Sequence, residues 1–422
     1  MTELFLLFLL LMAVGMPIGF ALFSSSIIYI ILNDLPIVMV SQKLISGVSS
    51  FPLIAISFFI LAGTIMNSGG ITKRIFGFSN SIVGHWRGGL AYVNIMNSVI
   101  FAGMSGSAIA DAGGIGNIET QAMIEAGYDD DFSVAVTGAS SIIGPIIPPS
   151  VPMVIFAVTS GVSTGRLFAG GFIPGLIMAF AMGVVVYFYS RKRNMKRTRR
   201  SSIFEIWQAF RKGFFALITP VILIGGMMTG IFTPTEASIV AVFYSLILGF
   251  AYGEIKLKDI PTLLRSTLKI TTGILFILGA ASLFSWLLTI TQAPQRMALA
   301  FAATFTNKYI ALFMLNIMLL FLGCLMDSDP IMIILVPILM PLLRVYQIDP
   351  VHFGVIMTVN LMIGLLTPPV GLVLYTLHST SGVAIQRIVK AIYPFLIVLY
   401  ILNLIFTYVP VIVTTLPNLI YG

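Results

Sequence analysis

The residues of this sequence that could do chemistry are a few serines, aspartates and glycines set inside strongly apolar sequence. The stretch Phe101 to Gly116 places small residues and hydroxyls between two short apolar arms. Asp327 and Asp329 lie in the stretch Gly323 to Pro330, which has equally apolar flanks. Serine hydroxyls, carboxylates and free backbone carbonyls are hard oxygen ligands for a cation. Because a carboxylate in apolar surroundings is costly, the two aspartates are candidate functional residues.

Two double prolines mark a second kind of interruption. Gly144 to Pro152 contains Pro148-Pro149, and Gly364 to Gly371 contains Pro368-Pro369. Consecutive prolines remove N–H donors and clash with the preceding turn, so each stretch predicts a helix broken near its middle. Carbonyl ends of half-helices suit a cation, and N–H ends suit an anionic group. A kink used only for packing is the alternative at either site alone.

The two sets of interruptions coincide when the sequence is compared with itself at an offset of 220 residues. Four matches share this offset without a gap: Phe101 to Gly103 with Phe321 to Gly323, Ser107 with Asp327, Gly144 to Pro149 with Gly364 to Pro369, and Pro174 with Pro394. The coincident glycines and prolines are residues that break helices. This pattern indicates an internal duplication of the kind found in inverted-repeat transporters.

The elements that must position these residues are membrane spans. Of 422 residues, 58% are hydrophobic and only 9% are charged, whereas a soluble protein carries about a quarter charged residues. Apolar runs of about 20 residues recur along the chain, which predicts an integral membrane protein with about 11 transmembrane helices. The first run, Leu4 to Leu32, begins beside Glu3 without a basic segment, so it is interpreted as one retained span rather than a signal peptide.

Charge and cysteine content narrow the function further. Seven of the 23 Lys and Arg residues lie between Arg191 and Arg200, and the positive-inside tendency places the basic loop 191–212 in the cytoplasm. Because so many of the cations lie in this one segment, the net positive charge indicates loop orientation rather than nucleic-acid binding. A single cysteine excludes an internal disulfide, and three distant histidines give no ligand-spaced pair.

The predicted fold is an all-α polytopic membrane protein with two re-entrant helical hairpins and two broken helices. Residues 1–200 form the first repeat half, with a first hairpin near 95–125 and a first broken helix near 132–160. Residues 201–422 form the second half, with a second hairpin near 310–345 and a second broken helix near 352–380. Two other polar clusters are interpreted structurally: Asp129 to Asp131 as a solvated loop or helix start, and Glu236 as the first turn of a helix capped by Thr233 or Thr235.

The stretches Gly103 to Asp111, Ala139 to Met153 and Asn360 to Gly371 closely resemble the large membrane subunit of tripartite ATP-independent periplasmic (TRAP) transporters. The likeness covers essentially the whole chain and extends in overall appearance to the sialic acid branch. It implies an inverted-repeat elevator fold and sodium-coupled uptake of an organic acid anion of the C4-dicarboxylate or sialic acid type across the bacterial inner membrane. It implies two partners, a periplasmic substrate-binding protein and a small four-helix membrane subunit. That subunit is expected to be a separate polypeptide, because this chain starts with the first helix of the large one.

The resemblance also implies site residues, with sodium as a co-transported ion and no organic cofactor. The first sodium site is expected at Gly103, Ser105, Ser107, Gly144, Ile147 and Pro148. The second is expected at Gly323, Met326, Gly364 and Thr367, with Asp327 as a further possible ligand. Ser105, Ser150 and Asp327 are expected to face the substrate cavity.

Three alternatives stay open at this stage. An ion channel could use the same carbonyl-lined breaks, although channels usually build a filter from a ring of subunits. A cation-coupled transporter could also work without a binding protein. An intramembrane aspartyl protease could be built on Asp327 and Asp329, but nothing pairs two carboxylates in a suitable geometry, so the chain is not expected to be an enzyme.

Overall fold

The computed structural model of the chain describes residues 2–195 and 197–422, and within them the side chains of all but residues 2 and 103–105. This part of the chain folds into 21 α-helices and one 3-10 helix, Leu257–Asp259, with no strand. The first ten helices are α1 Thr2–Ala13, α2 Ile18–Leu32, α3 Val38–Val48, α4 Phe51–Ser68, α5 Ile71–Val83, α6 Gly89–Ser105, α7 Ala108–Gly113, α8 Ile115–Glu125, α9 Asp130–Ser141 and α10 Val151–Ser160. The others are α11 Thr164–Lys192, α12 Ile203–Met228, α13 Pro234–Ala251, α14 Ile260–Ile290, α15 Ala293–Thr304, α16 Lys308–Leu325, α17 Ser328–Val345, α18 Pro350–Gly364, α19 Leu372–Ser381, α20 Ile385–Tyr408 and α21 Val411–Tyr421.

Helices long and apolar enough to cross a membrane number eight among the described residues, and shorter apolar helices lie between them. The long ones are α4, α11, α12, α13, α14, α16, α17 and α20. The expectation of an all-α polytopic membrane protein is therefore confirmed. Irregular backbone in such a protein must be buried in protein or line a wet cavity, which directs attention to the breaks between the shorter helices.

The prediction of one span across Leu4 to Leu32 is wrong. α1 ends at Ala13 and α2 begins at Ile18, so the run is divided into helices of 12 and 15 residues that pack against each other. Gly15 adopts a left-handed φ of +88°, and Pro17, which has no N–H, is the N-cap of α2. Each helix is shorter than the roughly 20 residues needed to span the hydrocarbon core.

Helix breaks occur at all four predicted interruptions. In the first hairpin α6 ends at Ser105 and α7 begins at Ala108, and in the second α16 ends at Leu325 and α17 begins at Ser328. The first broken helix is interrupted between α9 and α10, and the second is interrupted between α18 and α19. The bonds Pro148-Pro149 and Pro368-Pro369 are both cis.

The first halves of both broken helices form the centre of the molecule. Residues 132–141 of α9 and residues 351–364 of α18 are buried on every side, as expected of helices that are enclosed by others. α9 packs against the hairpin helices α6 and α8, and α18 packs against α16. The two halves also cross: α10 packs against α17 of the second hairpin, and α19 packs against α7 of the first.

A second layer of long helices surrounds this centre. α14, of 31 residues, packs against α2, α3 and α4, and α4 packs closely along α13. α4 and α14 also reach the central elements, through contacts with α10 and α17 respectively. These two helices therefore face the breaks from outside.

The start of α13 shows which threonine caps it. Thr233 Oγ1 accepts a hydrogen bond from the Glu236 N–H at 3.3 Å, and Glu236 Oε2 accepts one from the Thr233 N–H at 2.8 Å, which forms a capping box. Thr235 instead donates to the carbonyl of Phe51 at 3.3 Å. The capping interpretation of Glu236 is confirmed, with Thr233 as the cap.

We expect Thr233→Ala to lower the free energy of unfolding by about 1 kcal/mol, because an N–H at the helix start loses its acceptor. Thermal unfolding of the purified protein in detergent would measure this as a lower midpoint. Thr233→Ser keeps the hydroxyl and is the control. Equal midpoints for the alanine and serine variants would show that the cap adds nothing to stability.

Candidate functional site

The tip of the first hairpin lies against the break of the first broken helix. The Val151 N–H donates to the Gly106 carbonyl at 3.4 Å. Gly106 has a φ of +62°, and a Cβ added there would stand 2.9 Å from the Pro149 carbonyl oxygen. Only glycine permits both the conformation and this approach of two backbones. The hairpin tip and the double proline are therefore joined through main-chain atoms.

The structure brings together only part of the first sodium-site prediction. Ser107 caps α7, and Gly144, Ile147 and Pro148 lie in the buried break that the hairpin tip contacts. The predicted ligands Gly103 and Ser105 fall among the residues whose side chains are outside the description. The first site stays a prediction.

The second hairpin and second broken helix meet through two glycines. A Cβ added at Gly364 would lie 2.6 Å from the Gly323 carbonyl carbon and 2.7 Å from its Cα. The Gly371 N–H, on the far side of the break, donates to the Cys324 carbonyl at 3.0 Å. The predicted residues of the second sodium site therefore belong to two elements in backbone contact.

The remaining members of that predicted site flank the contact. Thr367 Oγ1 lies 2.8 Å from the Ile363 carbonyl oxygen and 2.7 Å from Tyr400 Oη. Met326 is extended, with φ −147° and ψ 168°, and separates the two arms of the second hairpin. Asp327 then caps α17, with its Oδ1 accepting from the Ser328 N–H at 2.7 Å. Its other oxygen is available for a second role.

A cavity of about 330 Å³ lies between the two hairpin tips and the outer helices. Ser107 lines it from the first hairpin, and Asp327, Ser328 and Asp329 line it from the second. The opposite wall comes from α4 and α14, including Thr64, Asn67, Ile270 and Ile274. A cavity of this volume, mostly apolar and with a few convergent polar groups, is typical of a small-molecule site.

Ser150 lies behind the cavity wall rather than on it. The side chain is fully buried, and its hydroxyl donates to the Pro145 carbonyl at 2.5 Å while accepting from the Met153 N–H at 3.2 Å. The described cavity residues include its neighbours Pro145, Val151 and Pro152, but not Ser150 itself. In this structure Ser150 acts as the N-cap of α10. The structure thus places Ser150, which was expected to bind substrate, behind the wall that it supports.

The structure contains a buried polar network beside the first hairpin that was not predicted from the sequence. Glu119, 2% exposed, accepts from Asn97 Nδ2 at 2.6 Å, and the Asp111 carboxylate lies against Gly144 of the first break. Asn94 joins the same region through Thr137, at 2.8 Å. Part of the signal is in the sequence, since Asp111 is a carboxylate in the stretch between two apolar arms, as Asp327 is.

A second network of three asparagines and a threonine ties the second hairpin to its broken helix. Asn316 Oδ1 accepts from Asn360 Nδ2 at 2.6 Å and from Asn403 Nδ2 at 3.0 Å, and Asn316 Nδ2 donates to Thr407 Oγ1 at 3.1 Å. All four side chains are at most 7% exposed. Asn316 therefore connects α16 to both α18 and α20.

We expect Asn316→Ala to lower the free energy of unfolding by about 2 to 3 kcal/mol, because buried amides on two other helices lose their partner. Asn33→Ala is the control for the same change at an exposed position, since within the described part of the chain the Asn33 side chain bonds to the Tyr29 carbonyl of the preceding helix and to no other helix. Thermal unfolding would show a much larger decrease for the first variant. Similar decreases in both would mean that the network does not hold the helices together.

Among the described residues, no group of three or more His, Cys, Asp and Glu side chains could hold a metal ion. The breaks themselves offer backbone carbonyls and a few hydroxyls, a ligand set that suits a weakly bound cation. Two hairpins and two broken helices that converge on one cavity, inside a polytopic helical protein, are the architecture of a secondary transporter.

Comparison with known proteins agrees with that class. Residues 5–412 match the family model described as "Tripartite ATP-independent periplasmic transporter, DctM component". The chain belongs to this family of large membrane permeases. The resemblance drawn from the sequence is thus confirmed.

Individual relatives carry names of related transporters. The chain is 41% identical over 410 residues to the "Sialic acid TRAP transporter large permease protein SiaM" of Vibrio cholerae, covering 97% of this chain and 96% of that protein. It is 39% identical to the "Sialic acid TRAP transporter permease protein SiaT" of Haemophilus influenzae, covering 98% of this chain and 68% of the other. It is 37% identical to the "C4-dicarboxylate TRAP transporter large permease protein DctM" of Pseudomonas aeruginosa, covering 89% and 88%.

A solved structure shares the fold at low sequence similarity. The YdaH transporter of Alcanivorax borkumensis superposes with a TM-score of 0.64, at 13% identity, over 86% of each chain. At this identity the likeness concerns the fold alone.

Proposed function

We propose that this chain carries an organic acid anion across the bacterial inner membrane together with sodium ions. The observation that carries the proposal is the cavity of about 330 Å³ at which both hairpin tips converge. Family membership supports uptake of a solute, and the relatives named for sialic acid and C4-dicarboxylates support the proposed substrate class. The basic segment 191–212, which the structure divides between the end of α11, a loop and the start of α12, is proposed to face the cytoplasm.

Charge at the cavity supports coupling to a cation. The described lining residues include Asp327 and Asp329 but no Lys, Arg or His. An anionic solute placed beside two carboxylates would be repelled strongly in a site of low dielectric constant. Sodium ions held at the adjacent breaks would offset that repulsion, so solute and sodium would bind together. This is the physical basis that we propose for symport.

The same carboxylates favour a solute that donates hydrogen bonds. Asp327 and Asp329, when ionised, only accept hydrogen bonds, and the hydroxyls of Ser107 and Ser328 can do either. A polyhydroxylated acid such as sialic acid offers several O–H donors in addition to its carboxylate. A simple C4-dicarboxylate offers few or none. We therefore propose a sialic acid-type solute over a dicarboxylate.

The proposed movement is an elevator, in which the central elements carry the solute past a stationary scaffold. The cavity has one wall from the hairpins and the other from α4 and α14. The hairpins and broken helices are joined to one another through backbone contacts such as Gly323 with Gly364. Elements held together in this way are suited to move as one body. A periplasmic binding protein would deliver the solute, and a separate small membrane subunit would complete the scaffold.

Uptake into proteoliposomes tests this function. The chain is reconstituted with its small subunit, the binding protein is added loaded with radiolabelled sialic acid, and an inward sodium gradient is imposed. We expect accumulation with sodium and none with an equal potassium gradient. Omission of the binding protein should stop uptake.

Three results would contradict the proposal in distinguishable ways. Accumulation without a sodium gradient would contradict the proposed coupling to sodium. Uptake of free solute would contradict the proposed need for a binding protein. Current through the chain that does not depend on solute would indicate an ion channel.

A further inference from the structure

A basic pocket of about 550 Å³, which shares no lining residue with the central cavity, lies where the end of α11 meets the turn between α5 and α6. We use the name basic pocket for the site formed by Trp86, Arg87, Tyr92, Tyr187, Arg191 and Arg197. None of these residues takes part in the proposed transport sites. The pocket combines guanidinium groups with aromatic rings, which is a chemically specific combination.

Exposed aromatic rings surround the basic pocket. Trp86 and Tyr187 are 47% and 44% exposed, and Phe188 beside them is 66% exposed. The Trp86 and Tyr92 rings pack edge to face with centroids 5.0 Å apart. Amphipathic rings concentrate at the membrane–water interface. α11 is a candidate span whose last turn is followed directly by the basic loop, as expected of a helix that leaves the bilayer here.

Ion pairing distinguishes the arginines of this pocket from their neighbours. Arg193 pairs with Asp129 at 3.5 Å, and Arg199 pairs with Glu205 at 3.4 Å. Within the described part of the chain, Arg87, Arg191 and Arg197 have no carboxylate within ion-pair distance. Within the described residues, no salt bridge neutralises the arginines of the pocket.

The basic pocket is also held in shape by the fold. Thr198 Oγ1 donates to the Gly84 carbonyl at 2.8 Å, and the Met195 N–H donates to the Ser190 carbonyl at 3.0 Å. These bonds fold the basic loop back over the turn before α6. The Arg191 guanidinium carbon lies 5.1 Å from the centre of the Tyr187 ring, which limits the positions of that side chain. A site ordered in advance loses less entropy on binding.

We propose that the basic pocket binds the phosphate group of an anionic phospholipid. Arg forms paired hydrogen bonds to phosphate oxygens, and basic pockets at the cytoplasmic ends of spans suit anionic headgroups. The exposed aromatic rings accommodate the glycerol and upper acyl region. Arg191 also stands in the last turn of α11, where a cation stabilises the helix dipole. The test must separate that role from lipid binding.

Native mass spectrometry of the full chain, titrated with phosphatidylglycerol, tests the proposal. We expect Arg87→Gln/Arg191→Gln to weaken retention of this lipid roughly 25-fold, since each basic residue near the surface contributes about a fivefold factor. Arg193→Gln/Arg199→Gln removes the same charge from residues that are already paired and is the matched control, with little change expected. Arg197→Gln changes a residue of the exposed loop and should weaken retention about fivefold. This single variant is the test to use if the double variant does not fold.

Other outcomes would overturn the inference. Equal weakening in both double variants would indicate non-specific attraction to the whole loop. Equal retention of phosphatidylcholine would show that the lipid's net charge is not recognised. If inorganic phosphate alone raised the thermal midpoint as much as phosphatidylglycerol does, the pocket would be a soluble-anion site. A lower midpoint for Arg87→Gln/Arg191→Gln with unchanged lipid retention would leave only the helix-dipole role.

Discussion

Asp327→Asn is expected to reduce solute uptake to background while the protein inserts and folds normally. Asp327 lines the central cavity, and its Oδ1 caps α17. Asparagine caps helices as well as aspartate does, so the helix start should survive. The lost charge removes charge-assisted hydrogen bonds to the solute or to sodium, which are worth about 1.5 to 3 kcal/mol each. Sodium-driven uptake into proteoliposomes is the measurement.

Asp349→Asn is the matched control for this change. Asp349 is an exposed N-cap, and its Oδ1 accepts from the N–H groups of Val351 and His352 at the start of α18. It makes the same kind of helix-start contact as Asp327 but does not line the described cavity. The control should retain uptake. Normal uptake by Asp327→Asn would remove Asp327 from the site, and loss in both variants would trace the effect to helix starts.

The second large effect is expected from Gly364→Ala. A Cβ there would meet the Gly323 carbonyl carbon at 2.6 Å and the Cys324 nitrogen at 3.0 Å, both of them backbone atoms that cannot turn aside. The second hairpin must then move off its broken helix. We expect uptake to be lost and the free energy of unfolding to fall by about 1 to 3 kcal/mol. Thermal unfolding with and without sodium would record both the loss of stability and the loss of any stabilisation by sodium.

Gly225→Ala provides the comparison. Gly225 lies inside α12, and a Cβ there would meet nothing within 4 Å. This variant should be as stable as the parent or gain about 0.5 to 1 kcal/mol, because glycine is unfavourable in a helix interior. If Gly364→Ala behaved like Gly225→Ala, with full sodium dependence, close contact of the two backbones would not be required for the second site.

Local chain properties made much of the fold predictable. The double prolines predicted breaks that the structure has between α9 and α10 and between α18 and α19. The cost of a carboxylate in apolar sequence marked Asp327 as a candidate functional residue, and in the structure Asp327 lines the central cavity. The prediction failed at Leu4 to Leu32 because it followed the continuous hydropathy, whereas in the structure the chain breaks between α1 and α2, at Gly15 and Pro17. The division at residue 200 into two repeat halves stays a prediction.

Contacts between distant residues could not be predicted in the same way. Ser150 is a separate, local case: its residue type suits a substrate site, but its hydroxyl bonds to the Pro145 carbonyl five residues earlier in the chain. Asp111 and Glu119 were not linked to the first break, because Asp111 meets Gly144, 33 residues further along the chain. Such pairings depend on how the helices pack. A hydropathy pattern does not specify which residues of two helices will meet.

Membrane insertion and the places where helices break follow from residue composition and from prolines and glycines, because these act on their own neighbourhood of the chain. Which breaks face one another was decided by packing, with α10 against α17 and α19 against α7. The cavity exists only because Asn67, Ile270 and Asp327, on three separate elements, come to one place. No local preference specifies such a meeting, since it results from how the whole chain buries its central helices.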